Sequence, residues 1–321
     1  MSTKPVLLLG RKLAAPVEER AAKDYDVRPN PEDRVYSSEE LLEKCQGADA
    51  ILPAHSEIFS AGVVAQLPDS IKIIANHSVG VDHCDLVALK ERGIVVTNTP
   101  DVLSDATAEI AMLCMLGAAR RASEGDRMMR AGAWDFWSPA FMVGTETTGK
   151  RMGIVGMGRV GQVTAKRARG FDMEVHYYNR SRLAPELEQG AIYHDSIDDL
   201  LPNCDVLSLH CPATPDTISM MNDARFALLP DGAIFVNTAR GNLVDEAALI
   251  GALKSGKLAA AGLDVYQTEP GGNPSLAELD NIFMLPHIGS ATFDTRNAMG
   301  FRALDNLDAF FAGKEPGDRV A

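Results

Sequence analysis

One stretch limits the folds open to this chain more than any other: Arg151-Met-Gly-Ile-Val-Gly-Met-Gly-Arg-Val-Gly-Gln, running on to Val175-His-Tyr-Tyr-Asn-Arg-Ser-Arg182. An apolar run, Met152 to Val155, leads straight into Gly156-x-Gly158-x-x-Gly161. A helix-compatible segment, Gln162 to Arg169, and a second apolar run, Met173 to Tyr178, follow. Strand, glycine turn, helix, strand is the context in which this spacing carries meaning. Gly156 would make the tight turn, Gly158 would let the backbone approach a pyrophosphate, and Gly161 would let the helix pack against the strand. Free N–H groups at the helix start, aided by the helix dipole, attract the phosphates. A bare glycine triplet also occurs in structural turns; with both strands in place it reads as a dinucleotide site.

The end of the second strand bears on which dinucleotide. NAD-selecting sites place Asp or Glu there, about 20 residues on, to accept from the ribose 2′-hydroxyl. Here the residues are Asn179-Arg180-Ser181-Arg182. Two guanidiniums and a hydroxyl suit a 2′-phosphate, which a carboxylate would repel. The reading is NADP(H) preferred with NAD(H) possible; the alternative is that Arg180 and Arg182 are solvated loop residues.

At 321 residues the chain has length for two domains, each with its own core. Lys+Arg 31 against Asp+Glu 44 gives a formal charge of −13, which disfavours nucleic acid and anionic membrane surfaces as partners. Cys45, Cys84, Cys114, Cys204 and Cys211 are scattered without a Cys-x-x-Cys, and read as reduced, mostly buried residues of a cytoplasmic protein. Histidines and cysteines nowhere adopt metal-ligand spacing, so no metal is expected. The apolar run near the amino terminus, Val6 to Leu9, is too short for a signal segment. Ile110 to Ala119 is too short to span a bilayer and reads as a buried helix.

Short apolar runs alternate with helical stretches throughout, as in a parallel sheet covered on both faces. Strands are expected at 6–9, 50–52, 71–75 and 94–97, with helices at 16–23, 38–45, 60–67 and 85–92 between them. Residues 104–122 read as a helix linking two domains. Residues 132–149, with Trp134 and Trp137, read as a long loop of the kind that serves as a lid or subunit contact. Further strands are expected at 205–210, 233–237, 260–265 and 282–285, a helix at 246–254, and a last helix at 291–311 returning to the first half. The domains are therefore expected at 1–98 plus 291–321 and at 99–290. The fold class is α/β, two Rossmann-like or flavodoxin-like domains with parallel sheets and an active site in the interdomain cleft.

Ligands of open α/β sheets bind outside the carboxyl ends of the strands. Three such ends in the second half carry unusual polar residues: Arg240 after Ala233–Asn237, Asp264 and Glu269 at and beyond the end of Ala260–Val265, and His287 after Ile282–Leu285. A guanidinium, a carboxylate and an imidazole on one rim suit reversible hydride transfer to a 2-keto acid. His287 can donate a proton to the developing alkoxide, and Glu269 would orient its ring and stabilise the imidazolium. Arg240 can fork onto a carboxylate and polarise the ketone. Taken alone, each has a structural reading: a bonded histidine, a surface arginine, a strand-ending glutamate. Together, after a dinucleotide fingerprint, they read as a site.

Over nearly its whole length the sequence resembles the D-isomer-specific 2-hydroxyacid dehydrogenases, nearest to the glyoxylate/hydroxypyruvate reductases among them. The motifs are Asn76-His-Ser-Val-Gly-Val-Asp-His83, Thr99-Pro-Asp-Val-Leu-Ser-Asp-Ala-Thr-Ala-Glu109, the glycine loop, Asn237-Thr-Ala-Arg-Gly241, Gly262-Leu-Asp-Val-Tyr with Glu269-Pro, and Pro286-His-Ile-Gly-Ser290. The resemblance implies Arg240, Glu269 and His287 as the catalytic triad. It implies a substrate site of Val79 and Gly80, whose amides would bind the carboxylate, with Leu52, His77 and Trp137 shaping it. The implied cofactor residues are Thr107, Gly156, Gly158, Arg159, Val160, Gly161, Asn179 to Arg182, Cys211, Pro212, Thr217, Thr238, Ala239, Asp264 (on the nicotinamide amide) and Gly289.

A homodimer is implied too, with the Trp134/Trp137 loop either reaching the partner's site or packing the interface. The family's acidic residue for NAD is absent at Asn179, which supports NADPH-linked reduction of glyoxylate and hydroxypyruvate. The alternatives are a dehydrogenase for a bulkier substrate or with NAD preference, and a dinucleotide-sensing, corepressor-like binding protein.

Overall fold

A computed structural model describes residues 4–321. They divide into two compact units: the residues up to Leu103 with Ala291–Ala321, and Ser104–Ser290. The first unit runs β1 (Val6–Leu9), α1 (Ala15–Asp24), β2 (Asp26–Arg28), α2 (Ser38–Lys44), β3 (Ala50–Leu52), α3 (Ala61–Val64), β4 (Ile73–Ala75), α4 (Leu86–Glu91) and β5 (Val95–Thr97). The strands pair in parallel in the order β2-β1-β3-β4-β5. That is the flavodoxin-like arrangement. β3, β4 and β5 are buried throughout, so their apolar side chains face covered layers on both sides. Ser37, Ser60 and Asp85 start their helices by accepting the N3 backbone N–H, and Glu40 closes a capping box onto Ser37.

The second unit opens with α5 (Ser104–Ala119) and α6 (Ala122–Arg130), and then runs β6 (Arg151–Val155), α7 (Arg159–Arg169), β7 (Glu174–Tyr178), α8 (Pro185–Glu188), β8 (Ile192–His194), α9 (Ile197–Leu200) and β9 (Val206–Leu209). It continues through α10 (Asp223–Leu228), β10 (Ala233–Asn237), α11 (Glu246–Lys254), β11 (Leu258–Leu263), α12 (Pro274–Ala277) and β12 (Ile282–Met284). The order is β12-β11-β10-β9-β6-β7-β8, all parallel. Counted within the unit this is the doubly wound Rossmann order with one further strand, and its switch point lies between β6 and β9. α5 lies on β10 and β11, close enough that a Cβ on Gly262 would overlap the Cys114 backbone.

The helix expected to run to residue 122 stops at Ala119. The backbone of Gly144 and Thr145 crosses its end, where the Ala119 carbonyl accepts from the Thr145 N–H (2.8 Å). Arg121 turns left-handed (φ 54) before α6, held by a two-point bond to Glu124. After the second unit, α13 (Phe293–Phe311) returns to the first and packs on α1 and β4. No helix among the described residues is long and apolar enough to cross a membrane.

Burial holds three imidazoles neutral: His77 and His194 titrate below their ordinary value of 6.5, and His210 is pushed down to about 4. The unfolded chain takes up protons as pH falls through 6.5, whereas these folded-state groups do not. Their stabilisation is therefore present above that pH and lost as pH falls toward the folded values. His210 alone removes about 2 kcal/mol of stability between pH 7 and pH 5. Urea unfolding at the two pH values should show a lower midpoint at pH 5; equal midpoints would contradict the assignment.

Candidate active site

The glycine loop sits at the switch point of the second unit. Gly156 has φ +94, and a Cβ there would lie 2.6 Å from the Cys211 nitrogen, so the β6 turn is seated against the end of β9. Cys211 and Pro212 thereby border the loop. A Cβ on Gly161 would overlap the Gly156 carbonyl oxygen, which is how closely α7 packs on the turn. Gly158 differs from both: a Cβ there would meet nothing within 4 Å, and the residue is exposed. Nothing inside the chain requires glycine at 158, so the space is left for something outside it. α7 starts at Arg159 with no side-chain cap, leaving the first-turn N–H groups of Arg159, Val160 and Gly161 directed at that space.

These contrasts predict separable effects. Gly158→Ala should leave thermal stability within about 0.5 kcal/mol while weakening dinucleotide binding. Gly161→Ala should destabilise the fold. Calorimetric unfolding and nucleotide titration of both variants check this, and normal binding by Gly158→Ala would contradict it.

The loop after β7 is more structured than its sequence implies. Asn179 Nδ2 donates to the Ser181 carbonyl (2.9 Å). Arg182, although exposed, is paired: it donates twice to Glu188 (2.8 and 3.2 Å) and lies over the Tyr193 ring at 5.5 Å. Glu188 is buried and also accepts from the Tyr177 hydroxyl (2.6 Å). Arg180 and Ser181 are exposed, and Arg180 enters no ion pair among the described residues. Of the two guanidiniums read from sequence as phosphate ligands, one is committed to bracing the loop.

On the far side of the switch point, Asp264 follows β11 and is 1% exposed. Its Oδ1 accepts the Ile288 N–H (2.8 Å); its Oδ2 has no hydrogen-bond partner. A Cβ on Gly289 would lie 3.3 Å from that Oδ2 and 3.5 Å from Thr107 Oγ1, so Thr107, Asp264 and Gly289 line one small space. The buried Thr238 hydroxyl likewise lacks a partner, and the next residue, Ala239, donates its N–H to Asn237 Oδ1 (3.0 Å). Orphaned acceptors and hydroxyls of this kind are costly unless a ligand completes them. With the open glycine loop, they fit a nicotinamide dinucleotide. Thr217 serves the adjoining turn, donating to the Pro212 carbonyl (2.9 Å) and accepting the Thr214 N–H (2.8 Å).

Arg240, Glu269 and His287 follow β10, β11 and β12, neighbouring parallel strands, so they rise from one rim. His287 Nδ1 lies 2.5 Å from Glu269 Oε2, while Glu269 Oε1 accepts the Tyr266 N–H (2.8 Å). Both carboxylate oxygens are thus fixed, and the carboxylate holds the imidazole with Nδ1 protonated, leaving Nε2 as the outward nitrogen. His287 itself is left-handed (φ 53). That conformation is uncommon for a residue with a Cβ and persists where neighbours impose it. Two neighbours do so: Asp264 takes the Ile288 N–H after it, and the Tyr266 hydroxyl donates to the Leu285 carbonyl before it (2.8 Å). The Arg240 backbone is pinned by Asn237 Nδ2, which donates to its carbonyl (2.8 Å). Tyr266 and Asn237 lie inside quoted motifs, but their positioning work was not assigned from sequence.

In the first unit, residues 76–80 follow β4. The carbonyls of Ser78, Val79 and Gly80 accept from the Thr99 N–H, Asn98 Nδ2 and Ser78 Oγ (2.9, 2.9 and 2.7 Å). The amides of Val79 and Gly80, on half-buried residues, have no acceptor among the described residues. A loop with its carbonyls tied back and consecutive amides open is an anion nest. His77 is buried, its Nε2 bonded to the Arg296 carbonyl (3.2 Å), and its amide donates to Pro53. Leu52 is fully buried in the core with Leu9 and Ile73, so its side chain supports β3 and shows no exposed face. Trp134 and Trp137 stand 52% and 73% exposed, which makes them available to a partner or a substrate.

Residues 112–289 match the family model of the D-isomer specific 2-hydroxyacid dehydrogenase NAD binding domain. The chain is 43% identical over 317 residues to a glycerate dehydrogenase of Hyphomicrobium methylovorum, covering 98% of both chains. It is 42% identical to a glyoxylate reductase of Pyrococcus furiosus, covering 98% of this chain and 94% of that one. Among solved structures, a glyoxylate reductase from Paecilomyes thermophila superposes with TM-score 0.89 at 36% identity, covering 100% of this chain and 99% of that one. An NADPH-dependent glyoxylate/hydroxypyruvate reductase from Sinorhizobium meliloti, solved with NADP and malonate, gives 0.88 at 30%, covering 99% and 97%. With identity of this order along its whole length and a matching domain model, the chain belongs to the D-isomer-specific 2-hydroxyacid dehydrogenases.

Proposed function

We propose that this dehydrogenase reduces glyoxylate and hydroxypyruvate with NADPH, His287 supplying the proton. The observation that carries the reading is the Glu269–His287 pair, whose carboxylate is fixed by the Tyr266 amide and whose histidine is held in a strained backbone. A bound nicotinamide cofactor supplies the hydride. Glu269 accepts from Nδ1 of His287 and so orients the ring with Nε2 outward, which makes Nε2–H the donor to the oxygen on which negative charge develops. Arg240 forks onto the substrate carboxylate and polarises the keto oxygen; the open amides of Val79 and Gly80 in the first unit form a nest of the kind that suits an anion.

For the cofactor, Arg180 and Ser181 are the groups available to a 2′-phosphate, and no acidic residue stands at 179–182 to repel it. The NADP complex of the Sinorhizobium relative is consistent with this. Steady-state kinetics with NADPH and NADH against glyoxylate, hydroxypyruvate, pyruvate and phenylpyruvate test the reading. NADPH should be preferred in kcat/KM by at least about tenfold, or about 1.4 kcal/mol. Arg180→Ala should erase most of that preference, whereas Arg182→Ala should mainly loosen the loop. Equal use of both cofactors by the wild type would overturn the preference and favour an NAD-linked dehydrogenase.

A further inference from the structure

At the edge of the second unit's sheet, β8 carries His194 beside β7. Residues 176 and 178 of β7 share one face, and the register sets Tyr178 opposite His194. His176 Nδ1 lies 2.9 Å from His194 Nε2, the rings meeting edge to edge with their centroids 5.2 Å apart. On its other side, His176 Nε2 lies 2.6 Å from Glu174 Oε1. His194 ends β8 level with the end of β7, with three strands between β8 and β10, and the proposed reaction uses none of these side chains.

The carboxylate decides the chemistry. Glu174 accepts from Nε2–H, so Nδ1 of the buried His176 presents its lone pair toward His194. A carboxylate behind an imidazole whose other nitrogen faces a second imidazole is the outer-sphere arrangement of histidine metal ligands. Two nitrogens on a tetrahedral metal, at about 2.0–2.1 Å each, lie about 3.3 Å apart. The pair therefore has to open by a few tenths of an ångström and the rings have to tilt so that both lone pairs converge off the N···N line, a movement for which His194, on an edge strand and half-exposed, has room. Metal entry costs no proton: His194 moves its hydrogen from Nε2 to Nδ1 and both rings stay neutral. Water completes the coordination, and Asp195 and Asp199, whose charges act on His194, favour a cation there.

We propose that His176 Nδ1 and His194 Nε2 form a binding site for an imidazole-preferring divalent ion of the zinc, copper and nickel class, with Glu174 as its positioning carboxylate. Bound metal would tie edge strand β8 to β7, the strand that continues into Asn179–Arg182. Eighteen residues separate the two histidines, so no sequence motif announces the site.

The test is Zn²⁺ titration of untagged, chelator-treated protein against a chromophoric competitor, for wild type, His194→Ala, His176→Ala and Glu174→Gln. Wild type should take up one more equivalent than either histidine variant, a difference in which ions bound elsewhere on the chain cancel. Glu174→Gln should keep the stoichiometry but bind about 10- to 100-fold more weakly. Equal uptake by wild type and His194→Ala overturns the proposal. Because His176 is buried and its variant can misfold, Cu²⁺ paramagnetic resonance of wild type and His194→Ala is the second readout. Coupling to two imidazole nitrogens in the wild type and one in the variant supports the site, and identical spectra overturn it.

Discussion

His287→Ala is expected to lower kcat for keto-acid reduction by about 100- to 10,000-fold, the usual worth of a positioned general acid. The imidazole is fixed on both sides, with Glu269 behind the ring and a left-handed backbone beneath it. Its loss leaves the developing alkoxide to solvent while the space lined by Asp264, Thr107 and Gly289, proposed for the cofactor, is untouched. Cofactor affinity should therefore stay near wild type, and KM for the keto acid should change little beside kcat. Glu269→Gln should retain part of the activity, since an amide can still orient the ring but cannot stabilise an imidazolium. Near wild-type turnover by His287→Ala would remove the proton-donor assignment.

Arg240→Ala is expected to lower kcat/KM by about 100- to 1,000-fold, or roughly 3–4 kcal/mol, with damage in both kcat and KM. A guanidinium that both forks onto the substrate carboxylate and polarises the keto oxygen acts in the ground state and in the transition state. Arg240→Lys should recover only part of the loss, because an ammonium is a point charge and cannot fork. Loss confined to KM, with kcat unchanged, would reduce Arg240 to a binding residue.

Most of this architecture could be read from the chain because buried parallel strands are near-continuous apolar runs. β3, β4, β9 and β10 have no exposed residue, and each was visible as such a run. The edge strands β2 and β8 were not, since Asp26–Arg28 and Ile192–His194 are short, partly exposed and carry no run of apolar residues. The end of α5 was misplaced because nothing between Ala119 and Ala122 is a helix breaker, whereas the helix is ended by a loop more than 20 residues later in sequence.

At the site, residue types at strand ends were legible because a parallel sheet gathers those ends on one rim. What each side chain holds was not. Arg182 looked like a free cation until Glu188 and Tyr193, brought round by α8 and β8, took it up. Leu52 looked like a pocket residue, yet its side chain lies in the core. The positioning of His287 by Tyr266 and Asp264 depends on two loops meeting, which spacing along the chain does not express.

The most direct measurement is a single turnover: enzyme loaded with NADPH, mixed rapidly with excess glyoxylate, for wild type and His287→Ala. The expected result is rapid loss of the reduced-nicotinamide signal in the wild type and a rate at least about 100-fold slower in the variant, at equal NADPH occupancy. Equal rates in the two proteins, or no NADPH consumed by the wild type with any 2-keto acid, would contradict it.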